Sequence, residues 1–224
     1  ESDENWDRCV EKTLALSPDS VTIYQMELPF NTVYSREMLG GEAGSRVATW
    51  SQKREWVKRA FARLKESGYQ VSSGYTLVRD RERCRFVYRD ALWRGADMVG
   101  TGVASFSHLS GVHYQNLDRF EDYVEALAEG RLPLSRALRV SDRERLIREL
   151  VLQMKLGRLD ASYFREKFGA SILDEFRAPF TSLRDEGYLD WKNDRIELSS
   201  EGLLRVDSLL PRFFLPEHRG ARYT

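Results

Sequence analysis

Residues 21–29 read VTIYQMELP, and residues 69–77 read YQVSSGYTL. Both stretches are rich in β-branched and aromatic residues, which favour a pleated, half-buried surface. The first stops at Pro29, which lacks the N–H that a continuing ladder needs. Between them, residues 50–66 place Val57, Ala60, Phe61 and Leu64 on one helical face, and Gly68 closes that helix. Strand, helix, strand predicts a parallel β/α arrangement. Upstream, Trp6, Cys9, Val10, Thr13, Leu14 and Leu16 follow helical spacing until SPDS at 17–20 ends the pattern. Downstream, the short apolar run ADMVGTG (96–102) reads as one more strand entering a glycine loop.

The pattern changes after residue 117. LDRFEDYVEALAEG (117–130) predicts a helix with Phe120, Tyr123, Val124 and Leu127 on one face. Ser141 and Glu144 form a capping box ahead of a stripe of Ile147, Leu150, Val151 and Met154. A short helix follows in DASYFREKFG (160–169). A longer one spans Ile172 to Glu186, with a kink or break at Pro179. GYLDWKNDRIELSSEG (187–202) reads as a hairpin turning at Asn193-Asp194, then a serine-capped helix. These elements predict two domains, 1–117 and 118–224, the second a mainly helical, winged-helix-like bundle.

Thirty-five basic residues balance 35 acidic ones, which weakens readings that depend on binding a phosphate backbone. The hairpin segment DWKNDRIE carries three acids against two bases, so nucleic acid is not an expected partner. No apolar run approaches the roughly 18–20 residues of a membrane span. The opening ESDENWDRCVEK is acidic and unlike a signal peptide. Cys9 and Cys84 lie far apart with no C-x-x-C pair, which fits reduced thiols and a cytoplasmic protein.

Chemistry in β/α folds gathers at the carboxyl ends of strands. One such end carries Gln25, Met26 and Glu27; another is GTGVASFS at 100–107. Gly100 and Gly102 allow close backbone approach to a ligand, or equally a tight strand-to-loop turn, and Ser105 and Ser107 add hydroxyls. Glu27 suits a general acid or base, or a structural ion pair. His108 and His113, five apart in what reads as a loop, lack helical metal-ligand spacing. Arg79, Arg81, Arg83 and Arg85 alternate with acids, as on solvated surfaces, or serve to hold an anionic ligand. No catalytic set, no metal ligand set and no phosphate loop is recognised.

Five segments in order carry a resemblance: SVTIYQMELPFNTVYS, KESGYQV, RFVYRDALWRGADMVGTGVASFS, YQNLDRFEDYVEALAEGRLPLSRAL and the tail from FREKFGASI to GLLRVD. Together they resemble the oxygen-independent coproporphyrinogen III oxidase-like family of radical S-adenosylmethionine enzymes, over essentially the whole chain. The resemblance implies an α/β fold: the C-terminal half of a parallel β/α partial barrel, followed by the winged-helix-like accessory domain. It implies S-adenosylmethionine as cofactor, with Gln25, Met26, Glu27, Gly100, Gly102, Ser105 and Phe106 around its adenosine. It also implies a [4Fe–4S] cluster, yet the family's C-x-x-x-C-x-x-C is absent here, so those ligands are not in this chain. The missing N-terminal barrel half is then expected in the same polypeptide or in a partner chain, and this chain alone is expected to be inactive. GYTLVRD (74–80) departs from the family's usual segment after the second strand.

The leading expectation is a radical oxidoreductase, coproporphyrinogen dehydrogenase-like, that acts on a tetrapyrrole through a 5′-deoxyadenosyl radical. The alternatives are a haem-binding or trafficking relative with His108 or His113 as axial ligand, a radical methyltransferase, and DNA binding through the tail.

Overall fold

The computed structural model describes residues 2–25, 33, 35 and 48–219. Two compact units are interleaved along the chain. The first gathers the described residues of Glu1–Arg85, Met154–Leu159 and Phe176–Thr224, the second Phe86–Gln153 and Asp160–Glu175.

In the first unit, helix α1 (Asp3–Leu16) starts where the Ser2 hydroxyl accepts the Asn5 N–H, with Asp3 and Glu4 facing the positive end of the helix dipole. Helix α2 (Trp50–Glu66) opens with a reciprocal Thr49–Gln52 capping box and buries Trp56, Val57, Ala60, Phe61 and Leu64, including the four positions expected from the sequence. Strands β1 (Ser20–Thr22), β2 (Gln70–Val71) and β3 (Thr76–Val78) form a sheet in the order β1-β3-β2. Val57, Phe61, Leu64, Tyr69 and Leu77 make a core against which Leu14, Val21, Ile23, Val71 and Leu204 pack.

Here the strand expectation is corrected. Residues 69–77 are two short strands, because the Ser72 and Ser73 N–H groups both turn back to the Thr76 carbonyl. β3 runs antiparallel to both β1 and β2. The β1–α2–β2 unit therefore has two strands pointing the same way, with β3 inserted between them. Among the described residues, β1 covers only the start of the expected 21–28 strand.

The same unit holds the hairpin of β8 (Leu189–Lys192) and β9 (Arg195–Leu198), which pairs Leu189 with Leu198 and turns at Asn193, φ +54°. β7 (Arg158–Asp160) completes the order β7-β9-β8. Helices α8 (Arg177–Asp185), α9 (Ser200–Leu204) and α10 (Val206–Leu209) surround it. Phe180 meets Phe213 edge-on at 5.0 Å within the buried set of Leu183, Ile196 and Leu209. Ser199 caps α9 by accepting the Gly202 N–H at 3.1 Å. A Cβ on Gly202 would lie 2.8 Å from the Tyr188 carbonyl carbon, so only glycine fits there. The kink expected at Pro179 falls instead at Phe176, φ −113° and ψ 31°, the N-cap of α8. Pro179 then sits in the first turn, where its missing N–H has no partner to lose.

The second unit contains α3 (Val87–Trp93), β4 (Phe106–Leu109), β5 (Val112–Asn116), α4 (Phe120–Ala128), β6 (Leu134–Arg139), α5 (Asp142–Met154), α6 (Ala161–Phe168) and α7 (Ile172–Glu175). Its sheet order is β4-β5-β6, and both pairs are antiparallel. The Ser141–Glu144 capping box forms as expected, and Ile147, Leu150 and Met154 are buried. Two expectations are corrected. ADMVGTG is not a strand: Met98 makes one isolated bridge to His108, and the strand lies downstream at β4. The apolar face expected for α4 is open, with Phe120 67% and Leu127 50% exposed, while Ala126 is buried. Residue 117 falls between β5 and β6, which pair with each other.

Candidate functional site

Gly100 and Gly102 form a loop whose own polar groups are held from within. The Gly100 N–H donates to Ser107 Oγ at 2.9 Å, and the Gly102 N–H donates to Tyr123 Oη at 3.0 Å. Asn116, 5% exposed, donates from Nδ2 to both glycine carbonyls, at 3.1 and 3.0 Å. Ser105 Oγ donates to the Thr101 carbonyl, and the Asn116 N–H donates to the Ser105 carbonyl. A Cβ at Gly100 would lie 3.0 Å from Ser105 Cβ and collide with the Phe106 carbonyl. Gly100 is therefore needed for the loop's own packing, the turn reading left open by the sequence. Gly102, φ +98°, has only Ser105 Oγ near a would-be Cβ, at 3.7 Å, so its side is open.

What this loop offers a ligand is a rigid apolar edge. Phe106 is 58% exposed and Val103 39% exposed, the size and chemistry to lie against a flat ring such as adenine. The loop's positioning residues, Asn116, Ser107 and Tyr123, were not singled out as such from the sequence. The Gln-Asn that closes the strand was the one available signal, because a buried amide must satisfy its donors.

In the first unit, Gln25 lies half-buried just beyond β1, and Met26 and Glu27 lie outside the described residues. Next to it, Tyr24 is exposed and packs on Tyr75 with ring centroids 5.6 Å apart. Tyr75 Oη donates to Asp207 at 2.6 Å, and Lys155 Nζ pairs with the same carboxylate at 3.0 Å. Burial and this carboxylate both push the Tyr75 phenol well above its ordinary pKa, so it stays a donor. Behind β1 an apolar groove of about 290 Å³ is lined by Val10, Thr13, Val21, Ile23 and Leu64, with Cys9 at its wall. Arg79 is committed to the carbonyl and hydroxyl of Ser17, so this member of the arginine series is structural.

The second unit also buries a charged cluster that sequence reasoning missed. Glu149, 2% exposed, accepts from Tyr163 Oη at 2.5 Å and from Lys167 Nζ at 2.8 and 3.0 Å. His108 and His113 are not in a loop. They are directly opposed on β4 and β5, with ring centroids 4.4 Å apart. His108 is 4% exposed, so its ring is shut in against its partner, while His113 is half-buried.

The two thiols do not supply a cluster site: Cys9 is exposed and Cys84 donates to the Asp19 carbonyl at 3.5 Å. Among the described residues no group of three or more His, Cys, Asp or Glu could hold a metal ion. An iron–sulfur cluster held by three thiolates does not fit this chain. No described helix is long and apolar enough to cross a membrane.

No family model matches the chain. A search of solved structures aligns it with "Coproporphyrinogen III oxidase (HemN) from Escherichia coli is a Radical SAM enzyme" at TM-score 0.75 and 18% identity, over 95% of this chain and 52% of that one. The chain is thus similar in fold to an oxygen-independent coproporphyrinogen III oxidase. The oxygen-independent coproporphyrinogen III oxidase of Helicobacter pylori is 27% identical over 119 residues, 51% of this chain and 26% of that protein. The heme chaperone HemW of Mycobacterium tuberculosis is 24% identical over 217 residues, 94% of this chain and 51% of that protein. The Synechocystis oxygen-independent coproporphyrinogen III oxidase is 22% identical over 223 residues, 91% and 47%. The chain thus spans about half, or less, of the length of these relatives. The α/β fold class expected from the sequence stands on this family likeness.

Proposed function

We propose that this chain is the second half of a radical S-adenosylmethionine barrel with its accessory domain, divided near 117, and that the whole protein acts on a tetrapyrrole. The likeness to the Escherichia coli enzyme over 95% of the chain supports this reading most strongly. In it, Phe106 and Val103 would line one side of the adenosine, Gly102 would leave room beside them, and Asn116 and Tyr123 would keep the loop in register. Gln25, Met26, Glu27, Gly100 and Ser105 stay in the proposed set as its surroundings. When bound, the cofactor supplies radical chemistry, and the thiolates for its cluster come from outside this chain, from the missing barrel half. The protein is proposed to work in the cytoplasm, with no nucleic-acid partner.

The second reading is a heme-binding relative without decarboxylase activity, favoured by the Mycobacterium tuberculosis heme chaperone match over 94% of the chain. In that reading His113, the less buried ring of the pair, is the better axial ligand. A methyltransferase is the remaining family outcome. The test is the intact mass of the native protein in its source cells, with its N-terminal peptides sequenced. A polypeptide near twice this length, or a tightly bound partner, carrying C-x-x-x-C-x-x-C supports the radical enzyme. A native protein of 26.1 kDa with no such partner would refute it.

A further inference from the structure

His108 and His113 are directly paired across β4 and β5, so their imidazoles share one face of the sheet. The ring centroids are 4.4 Å apart and the planes are inclined at 45°. This placement is fixed from both sides. His108 exchanges two backbone hydrogen bonds with Met98, at 2.7 and 2.8 Å. The β4–β5 turn is held where the Ser110 N–H donates to Asp97 Oδ1 and the Gly111 carbonyl accepts the Val140 N–H.

Packing alone leaves the pair unsatisfied. His108 is 4% exposed, and its Nδ1 is buried without a hydrogen bond, which native folds avoid. The next polar side chain on that face, Gln115, is spent elsewhere: its Nε2 donates to the Ala104 carbonyl and its Oε1 accepts from Arg136. His113 is half-buried, which leaves an approach from solvent. Near pH 7 an ordinary imidazole is mostly the neutral base, with a lone pair to offer a metal.

The ring separation selects the geometry. A metal–nitrogen bond of about 2.0–2.1 Å puts the metal about 3.2 Å from each ring centre. Two rings in cis positions, about 90° apart at the metal, then have centroids about 4.5 Å apart; tetrahedral ligation gives about 5.2 Å and trans ligation about 6.4 Å. The observed 4.4 Å matches the cis arrangement. It also rules out the two rings as opposite axial ligands of one haem iron.

We propose that His108 and His113 chelate one divalent transition metal of square-planar or tetragonal preference, copper(II) or nickel(II), through one nitrogen each, with water in the other positions. Copper(II) binds the more tightly of the two, as nitrogen ligands generally order them. The site does not rest on the proposed function.

The test titrates the native protein, labelled with ¹⁵N at histidine, with copper(II) and nickel(II), by calorimetry and, for copper, electron paramagnetic resonance. One equivalent of copper(II) is expected to give a tetragonal signal coupled to two histidine nitrogens, with couplings that change between ¹⁴N and ¹⁵N protein. His113→Gln is expected to weaken binding at least about tenfold, because a single ring loses the chelate effect. His218→Gln removes the third histidine of the chain, on its exposed surface, and should leave binding unchanged. A signal from one histidine nitrogen, undiminished binding in His113→Gln, or loss of the site in His218→Gln would each overturn the proposal. If His113→Gln does not fold, the nitrogen count in the unsubstituted protein decides alone.

Discussion

Replacing Lys167 by Met is the sharpest probe of what holds the second unit together. The substitution keeps the side-chain length and removes the ammonium. It strands the Glu149 carboxylate, 2% exposed, with Tyr163 Oη at 2.5 Å as its remaining direct donor. Breaking a fully buried pair from one side costs about 3–5 kcal/mol. Lys167 is not fully buried: its side chain is 32% exposed, so water already screens part of the pair. The Arg94 carbonyl at 2.6 Å and Tyr163 Oη at 3.0 Å, which Lys167 also donates to, would each lose a donor as well. The expected loss is therefore about 2–3 kcal/mol, just below the range for a fully buried pair. Adding Glu149→Gln removes the stranded charge, and the double variant should recover more than half of the loss. Gly95 reports on the same cluster independently, because at φ +80° an added Cβ would sit 2.8 Å from Glu149 Cδ, and Gly95→Ala should destabilise comparably. Urea unfolding followed by far-ultraviolet circular dichroism, with hydrogen exchange of α5 and α6 amides, measures the effect. A Lys167→Met loss below about 0.5 kcal/mol, the size of an exposed ion pair, would refute the reasoning, as would a double variant no better than the single.

Asn116→Ala leaves the Gly100 and Gly102 carbonyls without their shared donor; about 1–3 kcal/mol and a loosened loop are expected, seen as faster amide exchange at 100–107. Gly202→Ala forces a methyl against the Tyr188 carbonyl and should destabilise more than alanine at the uncrowded surface position Ser208, compared by thermal unfolding. Burial lowers the pKa of His108 and His113 from 6.5, so the folded state takes up protons less readily than the unfolded one. Their contribution to stability is therefore complete above about pH 6.5 and is lost as pH falls through the lowered values. Urea midpoints should drop between pH 7.5 and 5.5, and the slope should flatten in His108→Gln/His113→Gln; an unchanged slope would count against buried neutral rings.

The elements with strong local signals are legible in the sequence. The α2 face, the Ser141–Glu144 capping box, the hairpin turn at Asn193 and the serine cap before Gly202 are each set by residues within a few positions of one another. Hydrophobic periodicity and capping chemistry act at that range, so the sequence by itself determined these pieces. It also determined, by having only two distant cysteines, that a three-thiolate cluster cannot be held here.

Pairing between distant strands was decided only by the tertiary structure. Nothing in 69–77 announces that Ser72 and Ser73 turn back on Thr76 and place β3 between β1 and β2. Likewise 95–116 reads as a strand followed by a loop, because the apolar residues lie at its start. The fold instead spends Gly100 and Gly102 on a turn pinned by Asn116, Ser107 and Tyr123, and makes its strands from the polar Phe106–Asn116 half. That choice sets His108 against His113, a neighbour relation created by register. Glu149 was invisible for the same reason. On a helix wheel it is one acid among many, and only the approach of Tyr163 and Lys167, with room left by Gly95, makes it a buried one.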